Sequence, residues 1–226
     1  MPKLVFDIET VGVDFDGLDE KSRELLLANV ETDAQRQLVR DGMGLSPLTG
    51  RVVAIGILNP ETNKGAVYYQ KQKDEIEIEE EVGGNLAVPC ANEKEILKRF
   101  WESANHYDQF ITFNGHSFDC PFLAIRSAIN KVKPSVNLIQ NRYYDRPHID
   151  VYDKLTNYGA MRFKGSLHLW CQAFGIESPK DKGVTGHDAA RLFKEGRCRD
   201  IALYCVRDIV STAKLYEYWE KYMSGK

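Results

Sequence analysis

The chain has 226 residues, 43% of them hydrophobic and 28% charged, with a net charge of −3. That is enough apolar material for one sizeable core, and no apolar run approaches the ~20 residues needed to span a bilayer. The slight acidity excludes a uniformly basic nucleic-acid coat, yet the charge is uneven. Residues 121–199 carry 14 Lys/Arg against 7 Asp/Glu, whereas Asp74–Glu81 (DEIEIEEE) holds six acids and no base. This asymmetry is compatible with one face meeting phosphates, and equally with two solvated faces. Five scattered cysteines (Cys90, Cys120, Cys171, Cys198, Cys205) show no CxxC spacing, which fits reduced thiols better than a disulfide framework or a zinc site. The start, MPKLVFDIET, passes straight into a strand pattern without a long apolar stretch, so a cytoplasmic protein is expected.

In chain order, Lys3–Ile8 (KLVFDI) reads as a buried strand interrupted by one acid. Residues 11–49 read as a helical insertion, polar at first and helical from about Leu18 to Arg40, ending in the Asp41-Gly42-Met43-Gly44 stop. Arg51–Leu58 is the clearest strand, and Gly65–Gln70 returns as its antiparallel partner after an Asn59-Pro60-Glu61-Thr62-Asn63 turn. Residues 74–88 predict a ragged third strand bent at Gly83-Gly84. Glu93–Tyr107 is an amphipathic helix capped by Asn92, and Gln109–Phe113 is another buried strand. Phe118–Asn130 reads as a helix, with Pro121 in its first turn. A further element begins at Ile149–Leu155, Ser166–Phe174 is a short helix ended by Gly175, and a long helix runs from about Arg199 to Tyr222. Together they predict a single α/β domain over 1–226, a mixed sheet of about five strands with helices on both faces.

Three groups of residues carry chemistry. Asp7 and Glu9 (FDIET) lie two apart on a strand and so share a face. Paired acids on a buried strand require a cationic partner, which a divalent metal or a salt bridge at the strand end could supply. Asp119, in Asn114-Gly115-His116-Ser117-Phe118-Asp119, falls where a strand's C-terminal end turns into a helix, the usual ligand edge of an open α/β sheet. An ordinary helix cap fits it as well. Tyr204 and Asp208 stand four apart on a helix and share a face, with an Arg or Lys partner as the plain alternative.

In that order, D-x-E, N-x-x-x-F-D and Y-x-x-x-D match the three motifs of the DEDD superfamily of 3′→5′ exonucleases, in its tyrosine-bearing DEDDy branch. The chain resembles the proofreading exonuclease domain of family-B DNA polymerases and is similar to stand-alone exonucleases related to it. His148-Ile149-Asp150 and the stretch from Ser166-Leu167 through Phe174-Gly175 to Lys180 extend the likeness. The resemblance implies an RNase H-like fold and two divalent cations, Mg²⁺ or Mn²⁺, held by Asp7, Glu9, Asp119 and Asp208, with Tyr204 orienting the attacking water. It implies single-stranded DNA 3′ ends as substrate, with the chain working alone or supplying its activity in trans to replication or repair proteins; no membrane is expected from the apolar runs. An RNA-trimming enzyme and a non-catalytic nucleic-acid-binding module on the same fold are the alternatives. Asn114, Phe118, Thr10 and Lys180 are candidates for touching substrate, although turn chemistry for Asn114 and core packing for Phe118 fit equally. Lys131, Lys133, Arg142, Arg146, Lys164, Lys180 and Lys182 are candidates for a backbone-binding track. His116, in the motif loop, could touch substrate but reads more readily as a turn histidine, and His187 reads as a local hydrogen-bonding residue. No polymerase domain follows in this chain, and residues 11–49 are longer than the family leads one to expect; their place directly after Glu9 suggests a flap over the cleft.

Overall fold

The computed structural model describes residues 1–72, 79–163, 165–178 and 188–225. The strands are β1 (Lys3–Gly12), β2 (Gly50–Asn59), β3 (Lys64–Gln70), β4 (Glu80–Val82), β5 (Asn85–Cys90), β6 (Gln109–Thr112) and β7 (His148–Asp150). They form one mixed sheet in the order β4-β5-β3-β2-β1-β6-β7. β1–β2–β3 is an antiparallel meander, while β6 and β7 run parallel to β1. The sheet thus has seven strands rather than about five. The expected ragged third strand is a hairpin, β4 and β5, folded at Gly83 and Gly84 with φ of 59° and 81°. β7 spans three residues, too few for period-2 alternation to declare itself. The acidic run at Asp74–Glu81 falls mostly outside the described residues; within them, Glu80 pairs with Arg199 at 2.9 Å.

β1 is central, and its alternate residues feed two helical layers. Leu4, Phe6 and Ile8 face helices α3 (Glu93–Ala104) and α4 (Asp119–Ile129), packing with Ile96, Phe100, Phe110 and Phe122. Rings of Phe6 and Phe100 meet at 5.3 Å between centroids. Burying each such ring stabilises the fold by roughly 1.5–3 kcal/mol. On the other face Val5 and Val11 meet α5 (Val151–Leu155), α6 (Leu167–Phe174), α7 (Ala189–Lys194) and the long α8 (Cys198–Tyr222). A buried ion pair locks the first layer to the sheet. Glu93 takes the N–H of Val52 at 2.8 Å and both ends of the Arg126 guanidinium at 2.8 and 2.6 Å.

β1 continues to Gly12, so the insertion leaves the sheet at Val13 rather than Val11. Val13 N–H donates to Thr49 O at 2.8 Å, closing its base. Its helical part is two helices, α1 (Glu20–Leu27) and α2 (Asp33–Asp41), rather than one run from Leu18 to Arg40. The cause is local: the Thr32 hydroxyl and Gln35 side chain form a reciprocal capping box that starts a second helix. Neither helix buries a residue. The returning limb is anchored instead, with Met43 buried and Thr10 Oγ1 donating to Gly44 O at 2.7 Å.

Candidate active site

Asp7 and Glu9 project from β1 toward α8, and a bulge after Glu9 breaks the pairing with β2. Asp7 is partly exposed; Glu9, Asp119 and Asp208 are buried. Asp119 is the first residue of α4. It serves neither as the helix N-cap, a position held by Phe118, nor as an isolated acid. Its Oδ1 accepts the N–H of Ile8 at 3.1 Å, which ties the start of α4 to β1 between the two acids. Tyr204 and Asp208 come from adjacent turns of α8, and Asp208 is the first of the acids acting on the tyrosine hydroxyl. The structure therefore brings Asp7, Glu9, Asp119, Tyr204 and Asp208 into one cluster.

The close approach of α8 to the sheet depends on Gly56, which lies opposite Asp7 in β2. A Cβ there would fall 3.0 Å from Cys205 Sγ and 3.2 Å from Ile209. Cys205 forms the floor: its thiol lies 3.5 Å from Asp7 O and 4.0 Å from Asp7 Oδ2. The β6–α4 loop is shaped just as tightly. Gly115 admits no side chain, because a Cβ would sit 2.1 Å from Thr112 Oγ1.

Electrostatically the cluster is strained by its own charge. Burial, then Asp119, Asp208 and Glu9, push the Asp7 carboxyl well above the usual range. Burial, then Asp208 and Asp119, do the same to Glu9. Asp119 is pushed up to about 7 by burial, against the pull of its own N–H and that of Ile8. Burial and the three neighbouring acids also raise Tyr204, so its hydroxyl stays protonated at neutral pH. Among the described residues no basic group acts on Asp7, Glu9 or Asp119. A buried cluster of this sign calls for a cation.

The donors fit a hard divalent ion. Four carboxylates offer oxygen, which suits Mg²⁺ or Mn²⁺ over softer metals. Cys205 comes within 4.8 Å of donor atoms of Asp7 and Glu9. However, burial and the same acids raise its thiol well above the ordinary value, and it donates to Asp7 O. In this structure it serves as a hydrogen-bond donor.

A second acidic group, His116 with Asp150 and Asp153, is already satisfied from within. Asp150 takes the N–H groups of Asn114 and His116 at 2.8 and 2.9 Å. Asp153 takes His116 Nδ1 at 2.8 Å and pairs with Arg142. It is a clasp that sets the loop leading to Asp119, with His116 hydrogen-bonded into it. Asn114 occupies a left-handed turn position, φ 66°. Phe118 packs on Phe122 at 5.4 Å against the core. Thr10 spends its hydroxyl on Gly44. Lys180, Lys182, Lys164 and His187 lie outside the described residues.

Sequence reasoning missed three contributors: Asp150 as the loop anchor, Cys205 as the floor, and Arg207, whose guanidinium lies 5.8 Å from the Tyr204 ring centre. Only Asp150 carried a usable signal, an Asx turn ahead of a short helix.

A family described as "Predicted 3'-5' exonuclease related to the exonuclease domain of PolB" matches residues 50–226. The chain belongs to that family. Asp119, Tyr204 and Asp208 lie inside the matched stretch; Asp7 and Glu9 precede it and are joined to it through β1. Among solved structures, the family B DNA polymerase from the hyperthermophilic archaeon Pyrobaculum calidifontis is similar, with a TM-score of 0.62 and 16% identity. The match covers 96% of this chain and 24% of the polymerase, so the chain spans about a quarter of that protein's length. At this identity the likeness is one of fold: α/β, RNase H-like, a mixed sheet flanked by helices. No curated protein matches the chain. Among the described residues no helix is long and apolar enough to cross a membrane.

Proposed function

We propose that this chain is a metal-dependent 3′→5′ exonuclease that hydrolyses the terminal phosphodiester of single-stranded or frayed DNA and releases nucleoside 5′-monophosphates. The observation that carries the reading is the convergence of four carboxylates and one tyrosine from β1, α4 and α8, where the acids raise one another's pKa values. Family membership supports the reaction class. The DNA substrate rests on the polymerase likeness.

Asp7, Glu9, Asp119 and Asp208 would hold two divalent cations. Bound there, the cations would activate a water and offset charge on the scissile phosphate and the leaving 3′-oxygen. Tyr204 positions the attacking water. Its hydroxyl keeps its proton, so it acts as a donor and not a general base. Asp150 holds the Asn114–His116 turn from which Asp119 follows. Asn114 and Phe118 would border the terminal nucleotide.

The test is stepwise shortening of a 3′-overhang DNA oligonucleotide in Mg²⁺ or Mn²⁺, beside an RNA oligonucleotide of matched sequence. Shortening from the 3′ end that is abolished by EDTA and by Asp7→Ala is the expected result. A folded protein that shortens neither polymer would overturn the exonuclease reading, and shortening of RNA alone would overturn the choice of DNA.

A further inference from the structure

Among the described residues the exposed aromatic side chains are Tyr143, Tyr144, Phe163, Tyr218 and Tyr222. The last two pack on each other along α8, at 5.9 Å. The other three lie in two short segments, 139–147 and 156–163, on either side of β7 and α5. The Tyr143 ring rests on Tyr158, with centroids 4.8 Å apart. Tyr158 is held in a left-handed conformation, φ 55°, between Asn157 at 48° and Gly159 at 85°. Bulky residues rarely adopt that region. Its N–H bonds Asp153 O at 2.7 Å, and its hydroxyl accepts from Lys154 Nζ at 2.5 Å. The backbone is thus bent so that one tyrosine braces another whose ring is two-thirds exposed (66%).

The surrounding charge has one sign at the surface. Between 139 and 163 the chain carries Arg142, Arg146, Lys154 and Arg162 against Asp145, Asp150 and Asp153. Asp150 and Asp153 are buried, and Asp145 is paired with Lys154 at 2.5 Å. The three arginines are exposed. The first segment is tied to the loop that leads to Asp119: Arg142 and His116 share Asp153, and His116 is three residues before Asp119.

We propose that this surface is a platform for the unpaired strand that leads into the site. Bases stack on Tyr143, Tyr144 and Phe163, and phosphates meet Arg146 and Arg162. Flat, exposed rings interleaved with cations are what a sequence-tolerant single-strand track requires, since every base offers a π-face and every linkage a negative charge. The inference rests on the exonuclease reading for its substrate. It adds that the enzyme grips the strand at a distance from the bond it cuts.

The test separates grip from chemistry. Binding of a fluorescein-labelled dT16 strand is followed by anisotropy in EDTA, and hydrolysis of dT16 and of a dT dinucleotide is followed in Mg²⁺. The Tyr143→Ala/Tyr144→Ala variant is expected to bind dT16 at least about fivefold more weakly, the loss expected for removing one stacked base. Its kcat/KM should fall on dT16 and stay within about twofold on the dinucleotide, with Tyr143→Phe/Tyr144→Phe restoring both. Unchanged dT16 binding in the alanine variant would overturn the platform. So would sedimentation showing that the wild type self-associates and the alanine variant does not, because the rings would then serve an interface between copies. If the wild type cleaves neither substrate, the exonuclease reading fails, while the EDTA titration still decides whether the rings hold a strand.

Discussion

Asp7, Glu9, Asp119 and Asp208 share one volume, and each raises the cost of ionising its neighbours. The consequence for stability has a definite sign. A carboxyl whose folded pKa exceeds its unfolded value near 3.8 favours folding at low pH and loses that contribution as pH rises through the folded value, about 7 for Asp119. A bound cation reverses the penalty by favouring the ionised form. The rise in Tm on adding Mg²⁺ should therefore be larger at pH 8 than at pH 5.5, and Asp119→Asn should reduce it. Differential scanning fluorimetry at the two pH values would show this; equal increments would mean the acids do not bind the ion. Tyr204 divides positioning from metal binding. Tyr204→Phe keeps the ring and loses the hydroxyl, so the Mg²⁺-induced Tm shift should persist while kcat falls on the order of 10²-fold.

β1 and α8 form the site by leaning on each other, and Gly56 is what lets them touch. In Gly56→Ala the new methyl meets Cys205 Sγ and Ile209 at 3.0–3.2 Å. Overpacking of this kind costs about 1–3 kcal/mol and is relieved by moving α8, which carries Tyr204 and Asp208. Urea unfolding should report that modest loss, and kcat should fall far more than the folded fraction. These elements also show what could be read in advance. The shared face of Asp7 and Glu9 follows from strand period alone, and that of Tyr204 and Asp208 from helical period alone. β7 was too short to show a period. The break between α1 and α2 turned on a capping box inside what reads as one helical run. Gly56 looks like any strand glycine until the helix lying against it is known. The anchoring of Asp119 by Ile8 N–H joins two elements 111 residues apart, and no local pattern encodes such a bond.

Across the molecule, the insertion stands apart from this tightly packed frame. α1 and α2 bury nothing, whereas their base is pinned through Met43, through Thr10 to Gly44, and through Arg126 to Pro47 O at 3.1 Å. Replacing residues 14–41 with a short Gly/Ser linker should leave Tm within a few degrees. If the pair acts as a flap over the cleft, KM for an oligonucleotide should rise with kcat little changed. Unchanged kinetics would dismiss the flap.

The two halves of the site lie near opposite ends of the described chain: the thiol of Cys205 reaches the carbonyl of Asp7 across 198 residues. Contacts of that span form only after most of the polypeptide is available. Asp7 and Glu9 therefore meet Tyr204 and Asp208 only once α8 has docked on β1, and metal binding should report that docking.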